Sequence, residues 1–204
     1  MARVKRIGTL FVISALMAVL PSFADKVEQA RELNRQAAYL MGDGQLTAAA
    51  QKYRQAIQLN PQSAGYHSNL ALVLKDLNEL GAAEQEARLA VKLNGKKPSY
   101  RYNLGVILQK EGKFAEAETC LAEVVKTNAL DADFRYRHAQ VLFKLDKFQE
   151  AQEEMKLAML VKPTSGIIIY FLAIFITNSA RKKSLCTNTG ASSMDKVRLR
   201  LRRT

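Results

Sequence analysis

An all-α solenoid of helical hairpins is the fold class the sequence predicts, on three observations. Ala49, Ala83, Ala117 and Ala151 stand at intervals of 34 residues, and Ala56, Ala90, Val124 and Ala158 follow them seven residues later. Self-similarity at a fixed period of this length marks one supersecondary unit stacked on copies of itself, with a continuous core and function on a surface rather than in a cleft. Each period divides into two stripes of helical spacing around a short polar turn. The composition agrees: 48% hydrophobic residues with only 7% aromatic and no Trp suits helices built on Leu and Ala.

In chain order, residues 1–24 read as an export signal. Arg3, Lys5 and Arg6 form a positive segment, and Ile7 to Leu20 is apolar apart from small Gly8, Thr9 and Ser14. Pro21 then precedes Ser22-Phe23-Ala24, a small-x-small cleavage signature. Cleavage after Ala24 and a periplasmic or extracellular destination are expected. The alternative, an uncleaved N-terminal anchor, has an apolar core short of the ~20 residues a spanning helix needs. No cysteine follows that core, which excludes a lipoprotein anchor.

The repeat region, 25–163, holds four units at 30–63, 64–97, 98–131 and 132–163. In the third, Tyr100, Leu104, Ile107 and Leu108 fall along one face of a first helix. Glu111-Gly112-Lys113 is the turn, with glycine available for the left-handed residue that ends a helix. Phe114, Ala117, Leu121, Val124 and Val125 make the second stripe. The eighth position of each unit is small, Ala37, Ala71, Gly105 or Ala139, and with the alanines of the twentieth position it lets two antiparallel helices approach closely. Bulky residues fill the space beside them, at Leu40, Leu74, Leu108 and Leu142 and at Leu46, Leu80, Phe114 and Phe148.

On these positions the chain resembles the tetratricopeptide repeat family. Tyr102-Asn103-Leu104-Gly105 followed by Gly112-Lys113-Phe114 and Glu116-Ala117 is close to the family pattern, and Pro61 and Pro163 occupy its repeat-ending proline. The likeness covers about residues 30 to 163. Gly95 and Ala129 depart from it in place of proline, Ala87 is small where an aromatic is usual, and Gln36 and His138 are polar where leucine is typical.

The formal net charge of +12 would raise nucleic acid as a partner, but the charge sits at the two ends of the chain. Asp25 to Ser165 carries 20 basic against 18 acidic residues, a net of +2, whereas Gly166 to Thr204 carries 8 basic residues against Asp195 alone. A nucleic-acid partner is therefore not expected. Cys120 and Cys186 do not make a disulfide framework and read as two unpaired thiols. His67 and His138 have no ligand-spaced neighbours and read as core histidines, each with a hydrogen bond. Glu84, Glu86, Glu116, Glu118, Glu153 and Glu154 lie among lysines and read as a solvated face. Gly42-Asp43-Gly44 falls in an inter-helix turn and is no phosphate loop. No catalytic set, cofactor, metal or small-molecule substrate is expected.

In the family the first helices line a concave groove. The resemblance therefore implies a partner-binding set of Asn34, Arg35 and Ala38 in the first unit and Asn69, Leu72 and Lys75 in the second. It implies Tyr102, Asn103, Val106 and Lys110 in the third, with Tyr136, Arg137, Gln140 and Lys144 in the fourth. Amides can hold the main chain of an extended peptide, and Arg and Lys its acidic groups. The alternative is an ordinary solvated groove. Ser68, Leu72 and Asp133 break the full terminal-carboxylate clamp that some members use, so that specificity is not expected.

After Pro163 the rhythm gives way to an apolar run, Ile167 to Ile176, followed by Arg181-Lys182-Lys183. A cap helical from Ser165 to Ser179, a membrane segment within 164–180, and a truncated or altered continuation of a longer array all fit it. Residues 181–204, ending in alternating Arg and Leu, read as a basic flexible tail. The functional expectation is an exported, non-enzymatic scaffold for a protein or peptide, such as an assembly factor of the cell envelope. The alternative is a scaffold tethered to a membrane by 167–180 or by an uncleaved N-terminus.

Overall fold

The structure, a computed structural model, describes residues 23–163 and, beyond them, Gly166, Ile169, Tyr170, Ala173, Ile174 and Thr177. The expected signal thus lies outside the described residues except for Phe23 and Ala24, and so does the expected tail at 181–204. Eight helices follow in order: α1 Phe23–Gly42, α2 Leu46–Leu59, α3 Ala64–Asp76, α4 Leu80–Leu93, α5 Pro98–Glu111, α6 Phe114–Thr127, α7 Ala132–Lys144 and α8 Phe148–Val161. No strand occurs among the described residues. The chain divides into two compact units, residues 1–103 and 104–204, with the division inside α5. In the first, α1 packs on α2, α2 on α3 and α3 on α4; in the second, α6 packs on α7 and α7 on α8.

Local chemistry sets the element ends. The turn within each hairpin needs one left-handed residue, and Gly44, Asn78, Gly112 and Asp146 supply it 34 residues apart, with φ of 76°, 65°, 82° and 61°. Glycine takes that conformation at no steric cost, and Asn and Asp are the side chains that tolerate it best. At the start of α7 the Asp131 carboxylate accepts from the backbone N–H of Asp133 at 2.9 Å and of Phe134 at 3.1 Å, satisfying two donors that a helix start leaves open. Pro98 opens α5, where its missing N–H costs no helical hydrogen bond.

The core repeats as the sequence does. In the first unit Tyr66 plugs a socket made by Ala30, Ala56, Ile57 and Leu59. Tyr100 plugs the equivalent socket, 34 residues on, made by Ala64, Ala90, Val91 and Leu93. In the second unit Ala132, Ala139, Leu142, Ala151, Met155 and Ala158 form one buried cluster. The need for small residues at the helix crossing is sharpest at Gly105: a Cβ there would stand 2.8 Å from Leu121 Cγ, inside contact distance. Gln36, a departure from the family pattern, is exposed on α1, beside exposed Glu32 and Tyr39. The equivalents of these three on α3, Tyr66, Leu70 and Val73, are buried. These three positions of α1 are therefore exposed where the matching positions of α3 are core.

Candidate functional site

None of the fourteen polar and apolar residues implied for partner binding, from Asn34 to Lys144, is buried, although each sits on a helix whose neighbouring positions form the core. In the first unit, Asn34 and Arg35 lie on α1, Asn69, Leu72 and Lys75 on α3, and Tyr102 and Asn103 at the middle of α5. Two amides there already bond across helices: Asn69 Nδ2 donates to Asn34 Oδ1 at 3.1 Å and Asn103 Nδ2 to Ser68 Oγ at 3.0 Å. Both pairs are 35 residues apart, so the sixth position of one repeat reaches the fifth of the repeat before it. Asn69 and Asn103 each have a second amide N–H and a carbonyl oxygen beyond these bonds, and Asn34 has its two amide N–H groups. Arg35 is held by carboxylates of its own helix, Glu32 at 2.7 Å and Glu28 at 3.5 Å.

In the second unit, Val106 and Lys110 lie on α5, and Tyr136, Arg137, Gln140 and Lys144 on α7. Arg137 Nη1 donates to Gln140 Oε1 at 3.0 Å, and Gln140 Nε2 donates to Tyr136 Oη at 2.7 Å. This chain fixes the three side chains relative to one another, while Arg137 Nε has no acceptor. Burial lifts the Tyr136 phenol above its ordinary value against the opposing pull of Arg137, so it remains a neutral hydrogen-bonding group at physiological pH.

A second constellation lies where one repeat joins the next. The fourth position of three successive units, His67, Arg101 and Arg135, turns back to a main-chain carbonyl six residues earlier. His67 Nε2 donates to Pro61 O at 2.9 Å, Arg101 Nη1 to Gly95 O at 3.3 Å and Arg135 Nε to Ala129 O at 2.7 Å. These carbonyls belong to the repeat-ending position, and the clip forms both where proline stands there, at Pro61, and where it does not, at Gly95 and Ala129. His67 Nδ1 also stands 2.6 Å from Glu86 Oε2, and Arg135 Nη1 donates to Glu154 Oε2 at 2.6 Å.

Glu86 and Glu154 correct the reading of a solvated acidic face, because each is drawn against a side chain of a first helix, Glu86 against buried His67 and Glu154 against half-buried Arg135; Glu153 does remain exposed. His138 corrects another expectation. It is buried as expected, yet neither ring nitrogen makes a hydrogen bond, and Nδ1 stands 3.4 Å from Glu154 Oε1 without alignment. Burial alone would raise the Glu154 carboxyl; His138 and Arg135 outweigh it and hold the group below the usual carboxylate range. Cys120 is half-buried on α6, and Cys186 lies outside the described residues.

Two stretches of the chain match known repeat families, the TPR repeat over residues 41–78 and the tetratricopeptide repeat over residues 102–158. Over these two stretches the chain is built of tetratricopeptide repeats. Among solved structures, MamA 41-end from Desulfovibrio magneticus RS-1 is similar with a TM-score of 0.69 at 16% identity, over 76% of this chain and 88% of that one. Pseudomonas aeruginosa pilF gives a TM-score of 0.69 at 19% identity, over 76% of this chain and 71% of that one. YrrB, described as a TPR protein with an unusual peptide-binding site, gives 0.62 at 18% identity, over 78% and 84%. At such identities the likeness is one of fold. No curated protein matches the chain in sequence.

The tetratricopeptide register locates what the sequence reading missed. The clip recurs at 67, 101 and 135, and the carboxylates behind two of them recur 19 residues later at 86 and 154. That double offset was present in the sequence, but its acceptors are main-chain oxygens, which carry no residue signature. The amide bonds between helices follow an offset of 35 rather than 34, and a search at the repeat period alone passes over them.

Proposed function

We propose that this tetratricopeptide protein is a non-enzymatic interaction scaffold that holds a protein or extended peptide along the accessible stripes of its first helices. One observation carries the reading: none of the implied residues is buried and most are polar, while other positions of the same helices form the core. In the first unit, the remaining valences of Asn34, Asn69 and Asn103 suit the main chain of an extended segment, with Leu72 as an apolar contact. In the second, Arg137, fixed by Gln140, suits an acidic side chain, beside the flat face of Tyr136. A fold shared with YrrB adds a peptide-binding precedent belonging to that protein.

The test is panning of a random peptide library on the full chain, with the selected peptides measured against a variant carrying Asn69→Ala, Asn103→Ala and Arg137→Ala. Binding should fall at least tenfold while the melting temperature stays within a few degrees. Equal affinity for both proteins would remove these residues from the site. The scaffold is further proposed to act after export, on the strength of residues 1–24; in a bacterial host, intact mass should show an N-terminus at Asp25, and an unprocessed chain in the cytosol would contradict it.

A further inference from the structure

Asparagine closes the second helix of three units, at Asn60, Asn94 and Asn128, and each donates its backbone N–H back into that helix at 3.0, 3.0 and 2.9 Å. The residue that follows differs. Asn60 precedes Pro61 and Asn128 precedes Ala129, whereas Asn94 precedes Gly95, the one Asn-Gly pair in the chain. Asn94, Gly95, Lys96 and Lys97 are all exposed. Among the described residues no hydrogen bond engages the Asn94 side-chain amide or the Gly95 N–H, while Asn128 Oδ1 accepts from Thr127 Oγ1 at 3.1 Å. The chemically related pair Asp43-Gly44 is held, because the Gly44 N–H donates to Met41 O at 3.1 Å.

We propose that Asn94 is a site of spontaneous covalent modification, deamidating through its own main chain and thereby loosening the junction between the second and third repeats. The Gly95 nitrogen attacks Asn94 Cγ and a C–N bond forms. The side-chain nitrogen leaves as ammonia, carrying the proton that the Gly95 nitrogen gives up. One water then opens the cyclic imide. Opening at the side-chain carbonyl leaves aspartate; opening at the main-chain carbonyl leaves isoaspartate, with the chain running through Cβ. Glycine obstructs the attack least, since it carries no Cβ and leaves the backbone free to turn, whereas proline at the same place has no N–H to lose. The exposed ammonium groups of Lys92 and Lys96 favour the deprotonated nitrogen that attacks.

The products change this junction in two ways. Either acid adds a negative charge at the C-terminal end of α4, where the helix dipole already concentrates negative charge. Isoaspartate also lengthens the main chain by a methylene between Asn94 Cα and the Gly95 nitrogen, which displaces Gly95 O from Arg101 Nη1, its donor at 3.3 Å. Leu93, directly before the modified residue, belongs to the socket that holds Tyr100. Clip and socket therefore loosen together at this junction, while the equivalent junction at Pro61 cannot undergo the reaction.

The test ages the full chain for weeks at neutral pH, maps peptides from a Glu-specific protease by mass spectrometry, and labels isoaspartyl groups with a carboxyl methyltransferase and radioactive S-adenosylmethionine. The peptide 87–111 should gain the mass of one amide-to-acid conversion at Asn94, at least tenfold faster than Asn128 converts, and should carry the methyl label. Gly95→Pro should abolish both. Asn94, with φ −149° and ψ 78°, already matches Asn60 before Pro61, at −142° and 81°, so proline fits the backbone before it. Asn94→Gln, whose longer side chain closes the ring far less readily, should also stay unconverted. Aged wild type should melt below the fresh protein, with both variants unchanged by ageing. Conversion at Asn94 no faster than at Asn128, conversion without methyl label, equal conversion in Gly95→Pro or Asn94→Gln, or an isoaspartate-rich sample that melts like the fresh protein would each overturn the proposal.

Discussion

Glu154 gathers the polar chemistry of the last described hairpin, since Arg135 bonds one of its oxygens while His138 faces the other. Its carboxyl is held below the usual range although burial opposes ionisation, so the folded state binds fewer protons here than the unfolded chain. The stabilisation is therefore present above the unfolded value near 4.5 and is lost as the pH falls through the folded value. Glu154→Gln should cost about 1.5–3 kcal/mol at pH 7, the range for a hydrogen bond to a charged group, and its gap from wild type should shrink below about pH 4. Urea melts of both proteins at pH 7 and pH 3.5 check this; a gap that persists undiminished in acid would mean that the charge of Glu154 contributes nothing. This carboxylate shows a limit of sequence reading, because Glu153 beside it has the same chemistry yet remains exposed, and only the cations of the facing helix distinguish the two.

At the scale of the element, each hairpin is fixed by a small residue at the crossing and a left-handed residue at the turn, and both recur at the repeat period. Ala117 is fully buried, and Gly105 already has Leu121 within 2.8 Å of where a Cβ would lie. Ala117→Leu should therefore destabilise by ~1–3 kcal/mol through overpacking; an unchanged melting temperature would contradict this crossing. Asp146 holds φ 61° where Gly44 and Gly112 hold the same turn, so Asp146→Gly should be neutral or stabilising by up to ~1 kcal/mol. A clear loss of stability would show that the Asp146 side chain, rather than its backbone, matters at the turn. The crossings were legible because a small residue repeats at each, and the turns at Gly44 and Gly112 because glycine marks them, whereas those at Asn78 and Asp146 carry no glycine. The clips at Pro61, Gly95 and Ala129 were not legible, since the acceptor is a carbonyl that any residue offers and the donors change from His to Arg.

For the whole molecule, a stack of nearest-neighbour units predicts unfolding that need not be all-or-none, with fraying from an end. Chemical denaturation followed by circular dichroism should be broad for the chain's size, and tyrosine signals from Tyr66 and Tyr100 should lose native character at a denaturant concentration different from that of the bulk helix signal; one sharp coincident transition would contradict independent units. The repeat architecture could be read from periodicity, but a partner leaves no period of its own, and the binding stripe came only from the resemblance. The claim that the first helices carry the function is tested most directly by site-specific photo-crosslinking in the native host. A benzophenone side chain would be placed singly at Leu72, Val106 and Gln140 on first helices, and at exposed Gln58, Lys92 and Lys126 on second helices. The account predicts a discrete higher-mass adduct from the first three positions and none from the last three; adducts from the second-helix positions alone would contradict it.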